Sequence, residues 1–445
     1  MRDRKIKVEH ITRVEGHGNI EVEIEDGRLV RAGLDIVESP RFFEVMLKGR
    51  MFTDAAWIAS RICGICAVAH STASLKATEE AFGITLSEQT RLLRRVNFNG
   101  EVIQSHVLHL YFLAAPDFFG AGSVFDLVGS HSETVQRALR LKKLGNDLCA
   151  VICGRHVHPV SMAVGGFTAL PKEKALEEMR TRLVLARPDL DATVELFKSI
   201  RLPEFERETE YISLGGKGSN NGYDFISGDI ISSDGYTASC RDYREAIKEY
   251  IVPTSTAKHA KAKRESFMVG ALARFNNNFE YLHPQAKEAA SEIGLAAPCH
   301  NPYLINAAQL AETVHCLEDS IEIIDNLLDK GVRKEDISFE PREGRGVGIV
   351  EAPRGLLIHD YTYDRGGRIA EANCIIPTGQ NLANINLDIK ALVNVLMDRP
   401  DSEIENGLKM LVRAYDPCIS CSTHGLAIKI NKRSSHGPRR DPEKA

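Results

Sequence analysis

Two C-x-x-C pairs stand at opposite ends of this chain. The first is Arg61-Ile62-Cys63-Gly64-Ile65-Cys66, followed by His70. The second is Asp416-Pro417-Cys418-Ile419-Ser420-Cys421, followed by His424. Four thiolates at this spacing can hold one soft metal ion or a metal cluster, which would require the two ends of the chain to meet inside the fold. Structural zinc is the bland reading of paired C-x-x-C motifs. Zinc ribbons, however, keep their pairs close in sequence, and here almost the whole protein lies between them. A large, well-packed chain also has little need of a zinc staple. Each pair is flanked by ionisable groups: Arg61 and His70 at one end, Asp416 and His424 at the other. A closed structural site does not require these, whereas a reactive site uses them to orient and tune its ligands.

The 445 residues suffice for one large domain with several layers. A formal charge of −5 gives no electrostatic case for nucleic-acid binding. Ten cysteines, four of them in metal-ligand pairs, fit a reducing cytoplasm better than a disulfide framework. The charged start, Met1-Arg2-Asp3-Arg4-Lys5, lacks the apolar stretch of a signal peptide, and no run approaches a membrane span.

Periodicity predicts an α+β chain that is predominantly helical, with long antiparallel helices as its core and small N-terminal and peripheral sheets. Residues 5–37 read as strands around the hairpin signal Glu25-Asp26-Gly27. A basic amphipathic segment follows from Phe42 to Arg50. Helical spacing runs from Leu86 to Ala115, near 125–152, 172–198 and 240–293, and from Ala307 to Lys330. The stretch from Ile212 to Thr237 reads as irregular or hairpin structure, and 338–376 as strands and turns. The tail after Ile430 is polar and basic, and reads as disordered.

Four motifs in order carry a family resemblance from about Thr12 to His424. They are Thr12-Arg13-Val14-Glu15-Gly16-His17, Arg61-x-Cys63-Gly-x-Cys66-x-x-x-His70, Glu351-Ala352-Pro353-Arg354-Gly355, and Asp416-Pro417-Cys418-x-x-Cys421-x-x-His424. Together they resemble the large, catalytic subunit of nickel-iron hydrogenases, and most nearly the soluble, multi-subunit, bidirectional groups. The resemblance implies reversible heterolytic cleavage of H2. The competing functions are a structural-zinc scaffold and a quinone-reductase subunit like that of respiratory complex I, which lacks the cysteine pairs.

The resemblance also implies a site. Cys63, Cys66, Cys418 and Cys421 would bind nickel, with Cys66 and Cys421 bridging to an iron that carries CO and cyanide. Thiolates suit such soft and borderline metals. Glu15 would take a proton from a cysteine thiol. Arg354 would hold positive charge over the open metal position, with Asp117 and Asp416 accepting its hydrogen bonds and Pro353 completing a canopy. His70 would tune a cysteine sulfur, and Thr378 would donate to an iron-bound cyanide. Glu44, the carbonyl of Cys374 and His424 would bind a second ion, magnesium or iron(II).

The implied partners are an iron–sulfur small subunit, further electron-transfer subunits, nickel-insertion proteins and a maturation protease. The segment Gly154-Arg155-His156-Val157-His158-Pro159 with Gly165-Gly166 resembles one near the small-subunit interface. Residues 1–424 would form one catalytic domain, and 425–445 a maturation peptide. Cys149, Cys153, Cys240, Cys299 and Cys316 read as small buried apolar residues.

Overall fold

In a computed structural model, residues 3–215 and 223–423 are described. The expectations for His424 and for the 425–445 tail lie outside them. Long helices form the centre. Glu88–Val107 packs on Ser132–Cys153 and on Ile305–Lys330. The first contact is close because it is glycine on glycine. A Cβ built at Gly145 would lie 2.7 Å from the Gly100 carbonyl oxygen, and one at Gly100 would lie 2.8 Å from Cys149 Sγ. The Ser87 hydroxyl caps the first of these helices by accepting from the Thr90 N–H at 3.0 Å.

A second close approach positions the site. The helix Ala67–Phe82 starts at Cys66, its N-cap, and lies against the strand Gly344–Ala352. That strand has glycines at 346 and 348, and the helix has alanines at 73, 77 and 81. A Cβ at Gly348 would stand 1.9 Å from the Ala73 carbonyl oxygen, and one at Gly346 would stand 2.0 Å from that of Ala77. Only bare backbone fits here. The strand ends in the Pro353-Arg354 turn and returns as Gly355–Tyr363, which pairs with Ile369–Ile375. Glycine-on-alanine packing thus fixes how far Arg354 stands from Cys66.

At the N-terminus, Arg4–Val8, Gly18–Glu25 and Arg28–Ile36 form an antiparallel sheet, with the expected hairpin at Glu25-Asp26-Gly27. Its alternating apolar residues Ile20, Val22, Ile24 and Leu34 are buried. The loop after the first strand runs beside the C-terminal cysteine pair. Glu15 makes a parallel bridge to Cys418, and the Ile419 N–H donates to the Glu15 carbonyl at 2.9 Å.

The α+β, helix-dominated reading holds, but several boundaries differ. Residues 240–293 are not one helical region. Short strands at Lys248–Tyr250 and His259–Lys261 pair across Pro253 and its Ser/Thr-rich turn, and helix appears only as Tyr243–Ala246, Ala271–Asn278 and Pro284–Glu292. Pro253 has no N–H to give a helix, so the apolar spacing there is misleading. The 172–198 stretch is two helices, Glu173–Leu185 and Arg187–Ser199, because Pro188 restarts the second. The helix expected near 125 begins at Ser132, after a 3-10 turn at Val124–Leu127. Beyond Val107 the first long helix continues as a π-helical turn, Leu108–Ala114.

Candidate metal centre

The four cysteines meet. One ligand atom from each of Cys63, Cys66, Cys418 and Cys421 lies within 4.8 Å of the others, and all four residues are buried. Among the described residues this is the one group of three or more His, Cys, Asp or Glu side chains that could hold a metal. Cys63 Sγ lies 3.5 Å from Cys418 Sγ, and Cys66 Sγ lies 4.0 Å from Cys421 Sγ. Hydrogen bonds from Cys418 and Cys421 hold the Cys63 thiol well below its ordinary pKa, so Cys63 is the cysteine of the four that favours thiolate. Burial pushes Cys421 the other way.

A narrow cavity borders the sulfurs, with room for about one small molecule (about 10 Å³). Cys66, Cys418, Cys421, His70, Arg354 and Thr378 are among its lining residues. Arg354 is held from behind: its Nε donates to the Asp416 carbonyl at 2.7 Å, and its Nη2 donates to the Asp416 carboxylate at 2.8 Å. Its Nη1 is buried without a hydrogen-bond partner. An unused guanidinium donor beside four soft sulfurs suits a metal centre with an anionic or polarisable outer ligand, as the donor set itself does. Burial works against the Arg354 charge, but Asp416 and the cysteine sulfurs outweigh it and keep the group firmly cationic. Asp416 adopts φ +49°, a left-handed conformation that Asp tolerates, and this directs both of its oxygen-bearing groups at Arg354.

Glu15 reaches the cluster from the N-terminal loop. Its Oε2 accepts from the Cys418 thiol at 3.2 Å and from the Ser420 N–H at 3.0 Å, and its Oε1 accepts from the Ser420 hydroxyl. Gly16 is required beside it: φ is +86°, and a Cβ there would lie 2.7 Å from Ile419 Cβ. The Thr378 hydroxyl accepts from the Cys418 N–H at 2.8 Å. His70 pairs its Nδ1 with His359 Nε2 at 3.1 Å.

Asp117 stands elsewhere than expected. It does not take up Arg354; it accepts two bonds of 2.7 Å from Arg413 and a further bond from Arg13. Arg354 is satisfied by the adjacent Asp416, while Asp117 closes a separate ion pair at the end of the π-helical segment. Pro353 contributes its carbonyl, which accepts from Arg274 at 3.0 Å. Glu44 and Cys374 do come together, the Cys374 N–H donating to Glu44 Oε1 at 2.9 Å. His424, the third residue of that set, is outside the described residues.

Three features were not singled out from sequence. Glu101, buried behind the cluster, accepts from the Val68 N–H at 2.5 Å and from the Ala69 N–H at 2.9 Å, at the start of the Cys66 helix. Burial outweighs these bonds and pushes its carboxyl up to about 8. His359 continues from His70 to the Tyr361 hydroxyl at 2.5 Å. Arg274 and Glu312 form a buried ion pair behind the Arg354 turn. None sits in a cysteine motif, and only periodicity marks them as buried.

A sequence model of the nickel-dependent hydrogenase family matches residues 41–135 and 253–424, and a HoxL-like model matches residues 5–39. The chain is 36% identical to the alpha chain of sulfhydrogenase 1 from Pyrococcus furiosus, across 95% of this chain and 98% of that protein. It is 31% identical to the matching component of the vhc F420-non-reducing hydrogenase from Methanococcus voltae, across 97% of each. Among solved structures, an NAD+-reducing [NiFe]-hydrogenase in the H2-reduced state aligns with a TM-score of 0.87 at 27% identity, covering 95% of this chain and 99% of that one. The zinc-scaffold and quinone-reductase readings find no support in these comparisons.

Proposed function

The chain belongs to the nickel-dependent hydrogenase family as its large, catalytic component, an oxidoreductase acting on H2, and from that premise we propose how its residues divide the work. The observation that carries the proposal is the convergence of four buried sulfurs from both chain ends, three of them on one cavity that Arg354, with its unpartnered Nη1, also lines. Cys63, Cys66, Cys418 and Cys421 would hold the nickel, with Cys66 and Cys421 also serving an iron that carries CO and cyanide. When bound, this centre supplies the redox and Lewis-acid capacity that converts H2 into two protons and two electrons.

The protein's own groups supply the rest. Arg354 keeps a fixed positive charge and one free donor at the cavity, prearranged by Asp416, so no reorganisation is needed when charge develops there. The Cys418 sulfur carries a proton that Glu15 accepts across 3.2 Å. Glu15 is half-buried and faces the Ser420 hydroxyl, so the proton leaves the sulfur towards the N-terminal loop. Thr378 and His70 orient the sulfur-bearing backbone and the cavity wall. Asp117 acts at a distance, by holding Arg413 and Arg13.

Glu44, the Cys374 carbonyl and His424 would hold a magnesium or iron(II) ion, a reading supported by the approach of Glu44 to Cys374. Electrons leave to the small subunit's iron–sulfur clusters and then to further electron-transfer subunits. The relatives named as alpha subunits support a multi-subunit enzyme. No helix among the described residues is long and apolar enough to cross a membrane. We read the complex as cytoplasmic from its cysteine usage, and residues 1–424 as the mature catalytic domain after a protease removes 425–445. Intact-mass spectrometry of active enzyme tests that last point: a fully active chain still ending at Ala445 would contradict it.

The experiment for the function itself is hydrogen–deuterium exchange by anaerobically purified enzyme. Exchange that depends on Cys421 and on Glu15 is expected, and exchange indifferent to both would overturn the assignment.

A further inference from the structure

Behind the Arg354 turn lies a buried guanidinium to which the mechanism above gives no role. Arg274 sits on the short helix Ala271–Asn278 and is 2% exposed. All of its donor nitrogens are used. Nε and Nη2 donate to the two Glu312 oxygens at 2.6 and 2.7 Å, and Nη1 donates to Glu351 Oε2 at 2.9 Å. The remaining donors go to two consecutive carbonyls, Ala352 at 3.1 Å and Pro353 at 3.0 Å. These are the two residues before Arg354.

The backbone is locked from the same side. Gly270, the N-cap of the Arg274 helix, has φ +112°, and a Cβ there would lie 3.0 Å from the Arg354 carbonyl oxygen. Gly355 has φ +131°, and its Cβ would lie 2.8 Å from the Gly270 N. Glu312 is itself fixed by His106 Nε2 at 2.7 Å and by the Tyr223 hydroxyl at 2.5 Å. The planar guanidinium therefore has one orientation, and the turn has one position relative to it.

We propose that Arg274 is a positioning residue for the reaction: by gripping the Ala352 and Pro353 carbonyls it sets where the free Nη1 of Arg354 stands over the cysteine cluster. This rests on the reading that Arg354 faces the metal centre. Two buried carboxylates and a charged clamp are more than a turn of this length needs to fold. A catalytic cation that must not drift does need them, since displacement by about 1 Å costs rate steeply.

The test uses the assembled, metal-loaded enzyme. Arg274→Lys keeps a positive charge for Glu312 and Glu351, but an ammonium cannot also span both carbonyls. Nickel and iron content should stay near wild type and KM for H2 should change little. The kcat should fall roughly tenfold or more, and the infrared bands of the iron-bound CO and cyanide should move in the direction that Arg354→Lys moves them. In an Arg354→Lys background, adding Arg274→Lys should cost less than about twofold more, because both act through one group.

A full, independent loss in that background, or an unchanged kcat with unmoved infrared bands in Arg274→Lys alone, would overturn the inference while leaving Arg354's role intact. Wild-type kcat in Arg354→Lys alone would overturn the reading of Arg354, and the inference with it. If Arg274→Lys does not load metal, Arg274→Gln combined with Glu312→Gln balances the buried charge and is judged by the same criteria. Failure of both to load nickel would assign Arg274 to folding and overturn the proposal.

Discussion

The Glu15 carboxylate accepts a hydrogen bond from the Cys418 thiol at 3.2 Å, although 403 positions separate them in sequence. A thiol donor and a half-buried carboxylate at this distance form a ready path for a proton leaving the cluster. The contact depends on a loop that only glycine at position 16 allows to pass so close to Ile419.

Glu15→Gln should therefore separate proton transfer from metal assembly. The amide keeps the shape but cannot carry a proton at neutral pH. Nickel and iron should remain near wild type, while H2 oxidation and isotope exchange both collapse. Exchange at the wild-type rate would route the proton elsewhere.

Arg354→Lys retains the charge but loses the planar fork that divides between Asp416 and the cavity. Turnover should fall at least tenfold, or about 1.4 kcal/mol of barrier, with the metals still bound. An unchanged rate would reduce the guanidinium to a role in holding the Asp416 turn.

Glu101 predicts a pH effect on stability of the metal-free chain. Its folded carboxyl is raised from 4.5 to about 8 by burial. Between those values the folded state holds a proton that the unfolded state has released, so stability falls as pH rises through that window. The contribution is complete below about 4.5 and gone above about 8. Glu101→Gln cannot titrate, so its melting temperature should vary less with pH across this range. An identical pH slope in both proteins would show that Glu101 is not the group responsible.

Much of the site was legible because its chemistry sits in contiguous motifs. The C-x-x-C pairs, Glu15 beside Gly16, and Arg354 between Pro353 and Gly355 each announce themselves locally. The partner of each was harder to read. Asp117 looked available to Arg354, but Arg413, also buried and nearer in the fold, takes it instead. Arg274, Glu101 and His359 carry no local pattern, since their importance comes from pairing across 32 to 289 positions of sequence. In the fold, the glycines at 346 and 348 look like strand breakers until the alanines of the Ala67–Phe82 helix are set against them. Pro253 lies in the turn between two short strands, where apolar spacing alone would place helix.

Cys421→Ser should lower nickel and iron content and abolish hydrogen turnover, because an alcohol is a poor ligand for a soft metal. The chain should still fold, since serine is close to cysteine in volume at this buried core position. Normal nickel in this variant would exclude Cys421 from the ligand set.

The most direct measurement is nickel K-edge X-ray absorption on the anaerobically purified enzyme, with metal content determined on the same sample. The account predicts about one nickel per chain in a first shell made of sulfur, with an iron neighbour, and a smaller sulfur count or less bound nickel in Cys63→Ser and Cys418→Ser. Zinc in place of nickel, or nickel in a shell of nitrogen and oxygen that both variants leave unchanged, would contradict it.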